Sequence, residues 1–589
     1  MIVPMQHLTI LCLEKDASKA LEELRELGLL HVTGAPVQAD VLTKDLEAVR
    51  KAEIAINTLR MAHPEANAAR EPHPHRLVDM VTELLQRRHT ASEQLAHCHH
   101  EIQLIEPFGN FEMDALAELR ERGITVKLVR TSNRHDLHVP EGVTLHEINR
   151  TNKGCSMAAV SQQDFEIDGS IATLPERSLA ELQQEENALQ TEMADIESEL
   201  RELAIYADSL ENELRARQEK LEFSRTKAAL SEHGQITSLT GFCPRTKVEA
   251  VSRAATQHGW ALRAREPEPE EEVPTLLEMP RWVKPVKAVL QMLSILPGYR
   301  EADISGVFLV FFSIFFAILI GDAGYGMLFL GITLFARWKL PKAPAYPFVL
   351  FAILSICTLI WGAITGNWFG LAPESLPRFL QAPHLDIFKG EAARDLVIRL
   401  CFLLGAVHLT IAHIWNAIAL APSPKTLAQI GWIGLVWSMF FTALNMVLGQ
   451  SLPVFFAPML LGAVVLILLF MTSPKDLKTE WINHAMFPLS IVNCFVDIVS
   501  YIRLFAVGLA SLSVAASFNS MAMQIGVDRI WTLPVFALIL LLGHGLNIVL
   551  CALGILVHGV RLNTLEFSLH KNVEWKGFAY KPFARLSQE

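Results

Sequence analysis

Apolar residues along this chain keep two different rhythms, and the change falls near Arg300. Over residues 182–221 they recur on a heptad: Leu182, Leu189, Ile196, Leu203 and Leu210 form one seam row, and Met193, Leu200, Ala207, Leu214 and Leu221 the other. Such paired rows predict a coiled-coil strand, because a 3.5-residue repeat keeps one narrow apolar stripe turned to a partner helix. An earlier segment repeats the pattern less regularly, with Leu77, Leu84, Ala91, Cys98 and Ile105 in one row and Val81, Leu95 and Ile102 in another, interrupted by Arg88. The two are expected to pair as an antiparallel hairpin, since residues 107–172 between them read as a compact α/β lobe. Residues 6–13 and 235–240, each followed by a helix and a further strand, read as two strand–helix–strand units that pack as one ferredoxin-like lobe. The expected bounds are a proximal lobe from 1–40 and 234–280, a coiled coil over about 41–106 and 175–233, and a distal lobe at 107–172. Residues 265–272, with Pro267, Pro269 and four glutamates, read as a solvated linker.

Past residue 300 the heptad gives way to long apolar runs, several of them exceeding the roughly 20 residues a helix needs to cross a bilayer. Eight spans are expected, near 305–320, 323–338, 346–368, 396–420, 427–448, 454–472, 485–523 and 532–566. The fold class is therefore mainly α: N-terminal α/β lobes joined by an antiparallel coiled-coil hairpin, then an eight-helix transmembrane domain over 301–589. The last two spans would make straight helices of nearly 60 and about 53 Å at 1.5 Å per residue, against a hydrocarbon core of about 30 Å. They must be steeply tilted or broken in the middle.

Charge sharpens the division. Residues 301–589 carry 17 Lys+Arg and 14 Asp+Glu, leaving 34 and 48 for residues 1–300, so an acidic soluble half precedes a slightly basic membrane half. Residues 1–31 read as strand, amphipathic helix and strand, with Glu14, Lys15 and Asp16 interrupting any signal-peptide core, which places the first half in the cytoplasm. From that start, the cytoplasmic connections hold Arg337, Lys339 and Lys342, then Lys425, then Lys475 and Lys478, and lastly Lys571, Lys576, Lys581 and Arg585, as the positive-inside rule requires. Arg378, Lys389 and Arg394 in the external 371–395 loop blunt the contrast. Eight cysteines without a CxxC pair suggest neither a disulfide framework nor a zinc site, and no cofactor is expected.

Arg503 lies inside the seventh apolar segment. An arginine cannot shed its charge, and holding one at mid-bilayer depth costs about 2.5–3.5 kcal/mol on insertion scales, which makes it a functional-site candidate. Arg561 closes the following segment. At 100° per residue, Ala506, Ala510, Ser513 and Ser517 fall within about 80° of Arg503, a small-residue face that admits close approach of another backbone. Asn493, Asp497, Ser500 and Ser511 form a second stripe to its other side. On the eighth segment Asn547, Gly554 and Arg561 recur every seventh residue with His558 on the same face. Two readings stay open: polar paths ending beside each arginine, or a static bundle in which Asp497 neutralises an arginine on a neighbouring helix. His408 and His413, five apart, share no face and so do not read as a metal pair; Asp322 reads as a helix cap.

Ser500-Tyr501-Ile502-Arg503-Leu504-Phe505 and Val557-His558-Gly559-Val560-Arg561-Leu562 with Glu566-Phe567 resemble the last two membrane helices of the V/A-type ATPase stator subunit, subunit a or I. The resemblance extends through Gly321-Asp322-Ala323-Gly324-Tyr325-Gly326, Thr365-Gly366-Asn367-Trp368-Phe369-Gly370, His408 and Tyr580-Lys581-Pro582-Phe583, in order along the whole chain. It implies a non-catalytic subunit, consistent with the lack of a G-x-x-x-x-G-K-[ST] motif. Its residues 1–300 would be a cytoplasmic stator domain holding peripheral stalks and the central-stalk collar. Its tilted last helices would embrace a rotating ring of c (proteolipid) subunits, whose carboxylates carry protons or sodium ions between two half-channels past Arg503 and Arg561. Half-channel candidates are Asn493, Asp497, Ser511, His544, Asn547, His558 and Glu566. Bilayer lipid is a further partner, nucleic acid is not, and the inner membrane of a prokaryote is the expected location. Eukaryotic relatives have a histidine where this chain has Ser511 and an acid where it has Cys551. The alternative is a stand-alone secondary transporter or channel with a cytosolic coiled-coil regulatory domain, against which stands the lack of an evident inverted repeat.

Overall fold

The structure, a computed structural model, describes the chain apart from residues 34–38, 63–73, 132–138, 152–153, 168–169, 172–176, 372–375, 378–379, 381–390, 474–477, 479, 527–528 and 586–589. Arg378, Lys389 and Lys475 of the charge argument lie outside the described residues. The chain is mainly helical and divides into two compact units. One comprises Met1–Leu8, Phe242–Arg253 and Arg263–Pro582; the other comprises Thr9–Gly241, Ala254–Leu262 and Phe583–Glu589.

In chain order the first elements are β1 (Met5–Leu13), α1 (Ala17–Leu27), β2 (His31–Val32), α2 (Ala39–Met61), α3 (Pro74–Ile105), α4 (Met113–Glu121), β3 (Thr125–Thr131), β4 (Thr144–Thr151), β5 (Gly154–Ser161) and β6 (Ser170–Ile171). They continue as α5 (Leu179–Leu203), α6 (Ala207–Ala228), β7 (Ser231–His233), β8 (Ile236–Pro244), α7 (Val248–His258) and β9 (Ala261–Arg265). One sheet has the order β2-β8-β1-β9 with β7 on β8; the other has the order β4-β5-β3-β6, with each neighbouring pair antiparallel. On β5, Cys155, Met157 and Ala159 alternate into a core with Val129, Phe165 and Ile167, as the two-residue period of a strand dictates.

The helices α2 and α3 run antiparallel to α6 and α5. Arg60 pairs with Glu211, Arg87 with Glu192 and His99 with Glu186, so rising numbers meet falling ones. The heptad rows supply the seam: Leu182, Ile196 and Leu210 are fully buried, and Ile196, Leu200 and Leu210 pack with Ala52, Ile56, Leu59, Leu77, Val81 and Leu84. A capping box starts α5, where Ser178 Oγ accepts from the Glu181 amide and Glu181 Oε2 accepts from the Ser178 amide; these bonds hold the Glu181 carboxyl below its ordinary range.

The membrane-type helices follow α8 (Lys287–Met292): α9 (Ser305–Ile320), α10 (Ala323–Lys339), α11 (Ala345–Thr365), α12 (Glu391–Leu420), α13 (Lys425–Leu448), α14 (Phe456–Phe470), α15 (Trp481–Ser500), α16 (Ile502–Ile525), α17 (Thr532–Gly554) and α18 (Ser568–Lys571). Among the described residues, five helices are long and apolar enough to span a bilayer: Ala345–Thr365, Ala392–Leu420, Lys425–Leu448, His484–Ile525 and Thr532–Lys571. Ser305–Ile320 and Phe456–Phe470 are apolar but shorter. The expected count of eight therefore reduces to five by this measure. The 16 residues of α9 extend only about 24 Å, and α9 is enclosed by other helices, with Phe308, Phe315, Leu319 and Ile320 fully buried.

Both long helices are interrupted. Tyr501 separates α15 from α16, and its hydroxyl meets His408 Nδ1 at 2.8 Å while the His408 ring stacks on Phe311 and Phe567. After α17 the chain winds into two π-helical turns, Ile555–Gly559 and Leu562–Phe567, with Arg561 between them, before α18. The Gly321–Gly326 and Thr365–Gly370 strings meet at Asp322. Its Oδ1 accepts from the amides of Gly324 (2.8 Å), Tyr325 (3.2 Å) and Phe369 (2.9 Å), and its Oδ2 from Gly370 (3.0 Å). Asp322 is thus a buried cap serving two chain segments. Gly326 lets α10 approach α11, because a Cβ there would stand 2.6 Å from the Leu359 nitrogen.

Candidate functional site

Arg503 lies one residue past the start of α16, where Tyr501 breaks the helix, and its Nε donates to the Ser500 carbonyl at 2.9 Å. Its Nη2 is 2.6 Å from Glu566 Oε1, which Ser500 Oγ approaches at 3.3 Å and Arg561 Nε at 3.6 Å. The π-helical turns bring Glu566, 63 residues away in sequence, to that point. Asp497, which the static-bundle reading set against an arginine on a neighbouring helix, faces a histidine instead: its Oδ2 lies 3.1 Å from His570 Nε2. With two guanidiniums around one carboxylate, the cluster keeps one uncompensated positive charge. The Glu566 side chain is 5% exposed, Arg503 22% and Arg561 54%, so that charge is presented outward.

The face beside it is open. Ala506, Ala510, Ser513 and Ser517 are all exposed, as are Leu542, Leu546, Val549 and Leu553 on α17 and Val557 in the π-helical turn after it. A cavity of about 410 Å³ lies between α16 and α17, lined among others by Ala506, Ala510, Ser511, Asn547, Cys551 and His558.

Polar side chains extend from the cluster in two directions. Along α16 and α17 away from the arginines, Ser511 Oγ lies 3.1 Å from Cys551 Sγ, Asn547 Nδ2 donates to Tyr325 Oη (3.0 Å), Tyr325 Oη meets His544 Nδ1 (2.7 Å), and His544 Nε2 meets Asn519 Oδ1 (3.2 Å). On the other side, Asp497 leads to His570, His570 Nδ1 lies 2.8 Å from His413 Nε2, and His413 Nδ1 lies 2.8 Å from Gln429 Oε1. Of the expected residues, Asp497, Ser511, His544 and Asn547 enter these tracts, and Glu566 belongs to the cluster itself. His558 is half-buried at the cavity, with a buried Nδ1 that has no partner among the described residues. Asn493 is exposed on α15, apart from both tracts among the described residues.

Sequence reasoning missed Tyr325, His413, Gln429, Asn519 and His570. His570 was hidden because it follows the apolar run and reads as tail, whereas the helix continues to Lys571. His413 carried a weak signal, being a histidine within an apolar span.

Fold and site together define a multi-pass membrane protein in which two arginines and a glutamate meet at the last two long helices. The chain belongs to the subunit I family of V/A-type ATP synthases. It is 30% identical over 618 residues to the V-type ATP synthase subunit I of Borreliella burgdorferi, covering 100% of both chains, and 30% identical over 639 residues to V-type ATP synthase subunit I 1 of Treponema pallidum, covering 99% of this chain and 100% of the other. The A-type ATP synthase subunit I of Methanocaldococcus jannaschii is 26% identical over 451 residues, covering 69% and 64%. A solved cytoplasmic N-terminal domain of subunit I, homolog of subunit a, of V-ATPase aligns with 44% of this chain and 100% of its own at 13% identity and a TM-score of 0.21, too low to support an argument. No family model matches the chain.

Proposed function

We propose that this chain is the membrane stator subunit of a rotary V/A-type ATPase, passing protons or sodium ions between two half-channels and the carboxylates of a rotating c-ring. The observation that carries this reading is the charge of the Arg503–Glu566–Arg561 cluster: one positive charge in excess, presented on an exposed face of small residues. A ring carboxylate arriving there would complete the balance. Fixed positive charge favours the ionised form of a nearby acid, so the ring site must release its ion before passing. The two polar tracts, leaving the cluster in opposite directions, correspond to half-channels: Ser511, Asn547, His544 and His558 on the external side, Asp497 and Glu566 on the cytoplasmic side.

Each elementary charge moved across 100 mV is worth about 2.3 kcal/mol, so several ions are needed per nucleotide, and nucleotide chemistry belongs to other subunits. The helical hairpin of residues 1–300 would stay in the cytoplasm and hold the peripheral stalks and the central-stalk collar, so that torque moves the ring and not the stator. A prokaryotic inner membrane is the proposed location. A stand-alone transporter is not favoured, since the relatives are subunits of synthases.

The test is ATP-driven ion uptake by the intact complex in liposomes, comparing wild type with Arg503→Lys. Lysine keeps the charge but loses the planar fork. Coupled transport is expected to fall at least tenfold while the complex still assembles; wild-type transport by the variant would defeat the assignment.

A further inference from the structure

The line Gln429–His413–His570–Asp497 joins α13, α12, α18 and α15, and the two carboxylate-free members at its centre are an imidazole pair at 2.8 Å. His413 is buried, with the Trp432 ring parallel to it at 5.8 Å, and His570 is held by Asn416, whose Nδ2 donates to the His570 carbonyl at 2.8 Å. The charged groups around the line are Asp497 itself, then Lys571, whose ammonium donates to Asn416 Oδ1 at 2.8 Å and lies over Trp415, and then Glu566 with Arg503 and Arg561, reached through Ser500. From α13 the facing group is the neutral Gln429.

Counting hydrogens along the line gives two complete arrangements. With the Gln429 oxygen toward His413, the three contacts need three N–H groups on two rings, so His570 is an imidazolium facing the Asp497 carboxylate. With the amide turned, its N–H donates to His413 Nδ1, and two N–H groups suffice: His413 Nε2–H to His570 Nδ1, and His570 Nε2–H to Asp497. The orientation of an amide is itself assigned from such networks. The two arrangements differ by one proton and by no heavy-atom bond. Loading puts a proton on His413 Nδ1 as Gln429 turns its oxygen inward, and the hydrogen on His413 Nε2 passes to His570 Nδ1. Discharge reverses those steps.

We infer that this line is a single-proton store on the cytoplasmic side of the arginine cluster, and that the ion the chain passes is the proton. The inference rests on the stator reading given above. A hard cation such as sodium selects carboxylate, carbonyl and water oxygens, whereas the middle of this line offers only ring nitrogens. His413, His570 and Gln429 are accordingly positioning residues that act on the ring carboxylate through Asp497 and Glu566.

The experiment uses the intact complex in liposomes, with ATP-driven acidification and radioactive sodium uptake measured from pH 6 to 9. Wild type should acidify the lumen without sodium. His413→Gln and His570→Gln should assemble and hydrolyse ATP, with proton flux reduced at least fivefold and its pH dependence flattened. Gln429→Leu, which keeps both rings, should shift the pH profile and guards against a folding defect in the histidine variants. A strict sodium requirement, wild-type flux in both histidine variants at every pH, or a uniform fall without change of profile would each overturn the store. Arg503→Ala, run alongside, should abolish transport of any ion; retained transport there would sink the stator reading instead.

Discussion

An arginine–glutamate pair occurs both in the helical hairpin and among the membrane helices, and the two do different work. Arg87 and Glu192 join α3 to α5 at 3.2 Å with side chains 47% and 42% exposed. Arg503 and Glu566 meet at 2.6 Å with 22% and 5% exposed. Water screens the first, so it contributes about 0–1 kcal/mol and the hairpin rests on its leucine seam. The second has lost its solvent, and removing one partner leaves a buried charge at a cost of about 3–5 kcal/mol. A charge pair marks function here by where it sits, not by its geometry.

The comparison can be broken at either end. Glu566→Ala leaves two guanidiniums facing each other without their carboxylate; coupled transport should fall at least tenfold and the membrane domain should lose about 3–5 kcal/mol, read as detergent stability. Wild-type stability would mean the pair is as screened as Arg87–Glu192. Next, Leu189→Pro breaks the middle of α5, costing about 3 kcal/mol or more. It should uncouple ATP hydrolysis from ion flux or block assembly, and unchanged coupling would count heavily against a stator role for the hairpin. Third, Asp322→Asn replaces an acceptor with a donor toward the Gly370 or the Gly324 amide, leaving a buried N–H unmet at about 1–3 kcal/mol. Thermal unfolding should show that loss with the arginine cluster untouched. Smallest of all, Arg87→Ala should stay within about 0.5 kcal/mol of wild type by the same measurement.

What could be read from the sequence follows from the range of each interaction. The seam of α5 and α6 was legible because Leu182, Leu189 and Ile196 on α5 and Leu210 on α6 keep one heptad, and a period needs no knowledge of the partner; the turn at 204–206 that divides the two helices left no mark in it. Arg503 was legible because a charge stands out in an apolar run. Its partner was not, since Glu566 is 63 residues away and reaches it only through π-helical turns that leave no periodic trace. Tyr325 and His544 are 219 residues apart, and nothing local to either names the other. Asp322 was recognisable as a cap for α10, yet the amides of Phe369 and Gly370 that it also receives belong to a different segment. The eight expected spans became five by length because α9, α10 and α14, with 16, 17 and 15 residues, each cover too little distance for a bilayer on their own.

The π-helical turns on either side of Arg561 act as a vernier on the last helix. Each carries about one residue more per turn than ordinary winding, so rewinding Ile555–Gly559 as ordinary α-helix with all its residues kept would rotate everything beyond it by about 100°. Glu566 would swing off Arg503 and His570 off Asp497 in the same stroke. The wide winding thus sets the alignment of two distant contacts, and tightening it would disarm both without altering a single functional side chain.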